Sequence, residues 1–150
     1  MPASAGKLSV SVIRMLRMLQ ATRVRTPRVH PNLEPTHHAV LIALQERPAR
    51  IGDIAERNIA DASTVSRQVS HLTSLGLLEK VPDPDDGRAQ LVALSAEGRV
   101  LLDELVARRE AGFDELLADW PEEDVQRFIA YVDRFCDTVA ADERHHPDHG

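Results

Sequence analysis

A chain of 150 residues, 43% hydrophobic but only 3% aromatic, can build one compact core from Leu, Val, Ile and Ala, a composition better suited to helix packing than to a β-sandwich. No apolar run approaches the ~18 residues of a membrane span, the N-terminus lacks the order of a secretory signal, and the single cysteine, Cys136, cannot form an intrachain disulfide; the expectation is a cytoplasmic, single-domain protein with no membrane partner. Charge is uneven: Arg and Lys outnumber acids six to one in residues 1–34, and acids outnumber them eight to six in 35–95 and fifteen to six in 96–150, so the net −6 neither demands nor excludes a nucleic-acid partner.

Taken in chain order, Leu8 to Arg25 repeats apolar residues at helical spacing (Val12, Met15 or Leu16, Leu19), and Pro27 stops it. Arg28 to Pro35, with two prolines, reads as an extended connector. A second helix is expected from Thr36 to Arg47, with Val40, Leu41 and Leu44 on one face and Pro48 as its stop. Ile51 to Arg57 gives a short helix with Ile54 and Ala55 inward. Asp61 suits the N-cap of the next helix, which runs to Leu75, and Gly76 sits where a helix exit needs a left-handed residue.

Within that helix Val65, Val69 and Leu72 form the buried stripe, while Ser63, Thr64, Ser66, Arg67, Gln68, Ser70 and His71 make a polar face without an acid. Leu77 to Val81 and Gln90 to Leu94 read as strands of a hairpin joined by PDPDDGRA. Ser95 caps a long helix, 96–118, and Pro121 opens a last helix in which Val125, Phe128, Ile129, Val132, Phe135, Cys136 and Val139 form a wide apolar stripe. Residues 141–150 lack an apolar pattern and are expected to be a flexible tail.

Two short helices, the second with an acid-free polar face, followed directly by a hairpin carrying an arginine at its tip, make a winged helix-turn-helix. A helix entering the major groove needs short side chains near its N-terminus, so that backbone and phosphate can approach, and one or two long donors for base edges. Ser63, Thr64 and Ser66 meet the first need. Arg67 and Gln68 meet the second, since Arg pairs with guanine and Gln with adenine in bidentate fashion. Arg88 at the hairpin tip can reach the minor groove, and Asp86 is expected to hold Arg88 or the turn in place.

These residues resemble the MarR family of bacterial regulators. The resemblance covers nearly the whole chain and is most specific from STVSRQVSHLTSLGLLEK through PDPDDGRAQLVALSAEG, where Asp86 and Arg88 fall on the family's Asp-x-Arg wing positions. It implies a mainly α fold with a small β-hairpin wing: a winged helix-turn-helix core over 36–95 between dimerisation helices over 8–25 and 96–140. It also implies a homodimer on near-palindromic double-stranded DNA and often a small aromatic or phenolic ligand; repression is the expected outcome, although the sequence does not distinguish it from activation, and no cofactor is expected. Independently of the family, the apolar stripes of the outer helices are too wide for one small monomer to cover, which marks Val12, Leu16, Leu19, Phe128, Val132 and Phe135 as dimer-interface candidates.

Other readings are weaker. There is no nucleophile motif, phosphate loop or metal-ligand spacing to suggest an enzyme, and the acidic wing fails calcium-loop spacing because Gly87, Arg88 and Leu94 stand at its fifth, sixth and twelfth positions. A winged-helix module that binds protein would expose an apolar or acidic face in place of this hydroxyl-rich one. Cys136 reads as a small core residue, and His37 or His38 as partly exposed helix-start residues that diverge by about 100° and do not share a metal easily. His145, His146 and His149 belong to the expected tail.

Overall fold

The computed structural model describes residues 4–22, 24 and 26–145, and the apolar spacing resolves there into six helices and one hairpin. In chain order these are α1 (Ser4–Thr22), α2 (Pro35–Ala43), α3 (Ile51–Arg57), α4 (Ala62–Ser74), β1 (Leu78–Pro82), β2 (Gln90–Leu94), α5 (Ala96–Leu117) and α6 (Glu122–His145). They fall into two compact units, Met1–Gly112 and Phe113–Gly150.

In the first unit, the stripes read from the sequence meet in one core. Val40, Leu41 and Leu44 from α2 and its end, Ile54 and Ala55 from α3, Val65, Val69 and Leu72 from α4, and Leu101, Leu102 and Leu105 from α5 are all buried. Burial of each such Leu or Ile stabilises by about 1.5–3 kcal/mol relative to exposure, which fixes how the helix-turn-helix elements α2 to α4 pack. α2 ends four residues earlier than Pro48 would require at the latest. Its last turn tightens, with Leu44 N–H donating to Leu41 O and Gln45 N–H to Ile42 O, and the carbonyls of Ala43 and Gln45 are taken by guanidinium donors of Arg57 and Arg99 at 2.9 and 2.6 Å.

α3 closes in a Schellman arrangement: Ile59 N–H donates to Glu56 O and Ala60 N–H to Ala55 O, which puts Ile59 at the left-handed position with φ of 51°. Glycine serves this position without penalty, whereas a left-handed L-residue with a side chain costs about 1–2 kcal/mol. Gly76 does play that part after α4, at φ of 74°.

The hairpin is antiparallel, pairing Leu78 with Leu94, Lys80 with Val92 and Pro82 with Gln90. A third backbone segment joins it, because Ala49 exchanges both of its backbone hydrogen bonds with Val92, at 3.0 and 2.8 Å. The hairpin then runs into α5 through a tight joint. Ser95 Oγ accepts from Gly98 N–H at 3.0 Å as the cap and donates to Gly76 O at 2.6 Å. A Cβ on Gly98 would lie 1.9 Å from the Leu77 carbonyl oxygen, so only glycine fits there.

α1 buries no residue; Val12 and Leu19 are half-buried and Leu16 is exposed. α1 begins before Leu8 and ends at Thr22, and Arg23 and Arg25 lie outside the described residues. In the second unit, Trp120 packs its ring against Phe128 at 5.8 Å, and α6 continues to His145, past the start of the expected tail. His146 and His149 lie outside the described residues. Phe128 and Phe135 are exposed and Val132 is half-buried. Cys136 is also exposed, which corrects its reading as a core residue: it lies on the apolar stripe, but in the single chain that stripe faces solvent. His38 needs the opposite correction, being 4% exposed and not a surface residue, because it points from α2 into the core beside Val40 and Leu41.

Candidate nucleic-acid interface

α4 starts at Asp61, whose extended backbone lets its carboxylate turn back on the first helical turn. Oδ1 accepts from Thr64 N–H at 2.8 Å and from the Ser63 hydroxyl at 2.5 Å, and Oδ2 accepts from the Thr64 hydroxyl at 2.8 Å. The Ser63 hydroxyl, the Thr64 N–H and the Thr64 hydroxyl hold the Asp61 carboxyl far below the ordinary carboxylate range. Each hydroxyl has a single proton, so in this state Ser63 and Thr64 present lone pairs outward and would have to turn to donate to a phosphate.

Ser66 and Arg67 are exposed, Arg67 on the side of α4 opposite Val65, Val69 and Leu72, and Gln68 is half-buried at the edge of that stripe. The Arg67 guanidinium rests on Thr64 Oγ1 at 3.3 Å, a weak tether that leaves its other donors free. The sequence-derived recognition residues therefore share one accessible face, next to a helix N-terminus whose partial positive charge favours anions.

The wing is organised by two aspartates. Asp86 Oδ1 accepts from the backbone N–H of Arg88 at 3.1 Å and Asp86 O accepts from Ala89 N–H at 3.0 Å, so Asp86 shapes the turn through backbone, and the Arg88 side chain is exposed. Asp83, missed in the sequence, is buried at the hairpin base. Its Oδ2 takes Nε and Nη2 of Arg50 at 3.1 and 2.6 Å, and its Oδ1 takes Asp85 N–H at 2.9 Å. The Arg50 guanidinium, then the Asp85 N–H, hold the Asp83 carboxyl below its usual range. The signal available in sequence was the Asp at the start of a Pro-rich turn, but its partner lies 33 positions away.

A second unforeseen tie reaches the far end of α4. His71 Nε2 bonds Asn32 O at 3.0 Å, and its ring stacks on His37 at 4.8 Å. His37 Nδ1 in turn accepts from Glu34 N–H at 3.0 Å, locking the first turn of α2. Burial, then the neighbouring His71, lowers the His37 pKa against an opposing pull from Glu34; burial, then His37 and Arg109, lowers that of His38. Both ring nitrogens of His38 lack a hydrogen-bond partner among the described residues.

The family model of the MarR family matches residues 32–89, the span from the connector through the wing tip. An uncharacterized HTH-type transcriptional regulator of Bacillus subtilis (strain 168), YxaD, is 33% identical over 104 residues, covering 69% of this chain and 73% of that relative. The chain belongs to the MarR family. It is accordingly a DNA-binding transcriptional regulator of the winged-helix type. Among solved structures, PcaV of Streptomyces coelicolor, a transcriptional regulator in complex with its natural ligand, shares 29% identity at a TM-score of 0.63, over 91% of this chain and 94% of that one. A MarR family protein from Bacillus stearothermophilus is similar in fold at a TM-score of 0.72 and 18% identity, over 92% of this chain and 99% of that one.

Two open clefts adjoin the C-terminal end of α4 in this MarR-family chain. One, of about 510 Å³, is lined mainly by Leu75, Leu77, Val100 and Leu101 with His30, Glu97 and Glu104 among its polar walls. The other, of about 460 Å³, is lined by Asn32, Glu34, His37, His71 and Leu75. No helix among the described residues is long and apolar enough to cross a membrane.

Proposed function

We propose that this chain acts as a homodimer that lays α4 of each copy in a major groove of near-palindromic duplex DNA, with Arg88 of each wing in the flanking minor groove. In this reading Arg67 and Gln68 read base edges, Ser63, Thr64 and Ser66 meet phosphates, and Asp86 holds the wing turn. The observation that carries it is the exposed, acid-free side of α4 beyond its cap, standing beside a hairpin that ends in an exposed arginine. The outer helices α1, α5 and α6 serve dimerisation, because the stripes of α1 and α6 are left uncovered in one chain.

The regulatory outcome is repression, relieved when a small aromatic or phenolic ligand lowers DNA affinity. Support comes from the ligand-bound state of PcaV and from the leucine-lined cleft of about 510 Å³, a volume in the range that holds small molecules. The reading assigns no catalysis, since the polar residues of α4 lie on an open face and not around a reaction pocket.

The test is binding to an inverted repeat selected from random duplexes, measured across a salt series. The parent should lose affinity steeply with salt, Arg67→Ala should relax preference at one position of each half-site, and Arg88→Ala should weaken binding and flatten the slope by about one counterion per contact. Absence of salt-dependent binding to any duplex would overturn the reading.

A further inference from the structure

Ile59 combines two costly properties. It holds a left-handed backbone at φ of 51°, which a β-branched side chain resists, and it leaves that side chain 90% exposed, more than any other large hydrophobic among the described residues. Packing within the chain therefore returns nothing for the strain. The hydrogen bonds that impose the conformation, from Ile59 N–H to Glu56 O and Ala60 N–H to Ala55 O, use backbone only, so glycine or asparagine would make them equally well.

Its place in the fold suggests what the side chain meets. Ile59 lies in the turn between the two helices of the helix-turn-helix, two residues before Asp61, the cap of α4. The helix that follows carries, in its first two turns, Ser63, Thr64 and Arg67, the groups assigned above to DNA. Phosphate is ruled out as its contact by chemistry, because an isoleucine offers neither charge nor donor. The apolar atoms that duplex DNA presents at a groove wall are the thymine 5-methyl group and the carbon edge of deoxyribose.

We infer that Ile59 is a DNA-contacting residue, which packs its exposed branched side chain against an apolar carbon of the operator beside the first turn of α4. This rests on the DNA-binding reading above and adds to it a contact that is insensitive to salt.

The experiment uses the full chain, its selected operator, and the variants Ile59→Gly and Ile59→Asn, both compatible with the left-handed backbone. Each should raise the melting temperature at fixed protein concentration by about 2–4 °C. Each should also weaken operator binding about tenfold with the salt slope unchanged, since no counterion release is lost. Ile59→Val should retain part of the affinity. Replacing operator thymines one at a time by deoxyuridine identifies the atom: a position where the lost methyl weakens the parent but not Ile59→Gly marks a thymine contact. Weakening by Ile59→Gly with no such position marks deoxyribose. Variants that bind as tightly as the parent, or that change the salt slope, overturn the inference. A parent chain that binds no duplex at all sinks the DNA-binding reading instead, so the two failures are distinct.

Discussion

Arg50 donates through Nε and Nη2 to one carboxylate oxygen of Asp83, joining the residue before α3 to the base of the wing. The adjacent Ala49 pairs its backbone with Val92 in the second strand. Side chain and backbone thus tie the wing to the helix-turn-helix over the same short segment, and the wing tip with Arg88 is aimed from that joint. Asp83 is buried and Arg50 about half exposed, so losing Arg50 would leave the carboxylate with only backbone donors.

Removing this tie should loosen the wing without touching the recognition face. Arg50→Ala and Asp83→Asn are each expected to lower operator affinity by about three- to tenfold for all sequences alike, with base preference at the Arg67 position retained. Binding selections on randomised half-sites check this; a changed base preference would show that the pair acts on α4 and not on the wing.

Asp61 places a carboxylate at the end of α4 that is read as facing phosphates, where charge and capping pull in opposite directions. Asp61→Asn keeps an equally good cap while removing the negative charge. It should leave the melting temperature within about 2 °C and tighten DNA binding about two- to fivefold at low salt, fading as salt rises. Asp61→Ala should instead lower the melting temperature by about 2–6 °C, because Thr64 N–H loses its partner and the Ser63 and Thr64 hydroxyls lose theirs. Thermal melts and salt-series binding of the two variants separate the effects.

The half-buried His37 and the buried His38 set an acid limit on stability. His37 and His38 both have folded pKa values lowered from the ordinary 6.5, so below that pH the unfolded chain binds more protons than the folded one. Their contribution is present in full above about pH 6.5 and is lost as pH falls toward their folded values. Protonation of His37 Nδ1 would also end its bond from Glu34 N–H and set a charge against the stacked His71. Urea midpoints should therefore fall between about pH 7 and 5.5, ahead of the loss expected when Asp61 and Asp83 protonate. His38→Leu should raise stability by roughly 1 kcal/mol at neutral pH, by removing two unpartnered buried nitrogens, and should flatten the decline. A midpoint that is flat over this range would sink the prediction.

The parts legible in the sequence were those written in local period and cap chemistry. Val65, Val69 and Leu72 at helical spacing, Asp61 as N-cap, Gly76 at the left-handed exit and Ser95 before α5 each express a rule that acts within one or two turns. What escaped were partnerships across the chain: Arg50 with Asp83, His71 with Asn32, Ala49 with Val92 and Gly98 under Leu77. Each depends on how two elements cross, which periodicity does not encode. His38 was misjudged for the same reason, since a polar residue beside an apolar stripe looks exposed until α2 is packed. Cys136 erred the other way, its apolar stripe having no cover within one chain.

Gly98 gives the most severe single prediction in the core. A Cβ 1.9 Å from a backbone carbonyl oxygen cannot be relieved by a side-chain shift, so α5 would have to move off the end of α4 and the start of the hairpin. Gly98→Ala should cost about 3–5 kcal/mol, or prevent folding, despite alanine's better helix propensity. Denaturant unfolding of the purified variant measures this; a loss below about 1 kcal/mol would mean that the joint is far more pliant than the Ser95 and Gly76 bonds imply.

The uncovered stripe of α6 makes the dimer testable apart from DNA. Phe128 and Phe135 are exposed and Val132 is half-buried, and none of the helix's described residues is buried within the chain. A charge at the centre of such a stripe cannot be desolvated against a second copy without costing several kcal/mol. Val132→Asp and Phe135→Asp should therefore sediment as monomers at micromolar concentration and lose at least about a hundredfold in operator affinity, because the two half-sites are no longer bound together. Their helix content should stay close to the parent's, since neither side chain contributes to the buried core formed by α2 to α5. If both variants remain dimeric, the subunits meet through another surface, and α1, whose residues are likewise unburied, becomes the next element to charge, at Leu16.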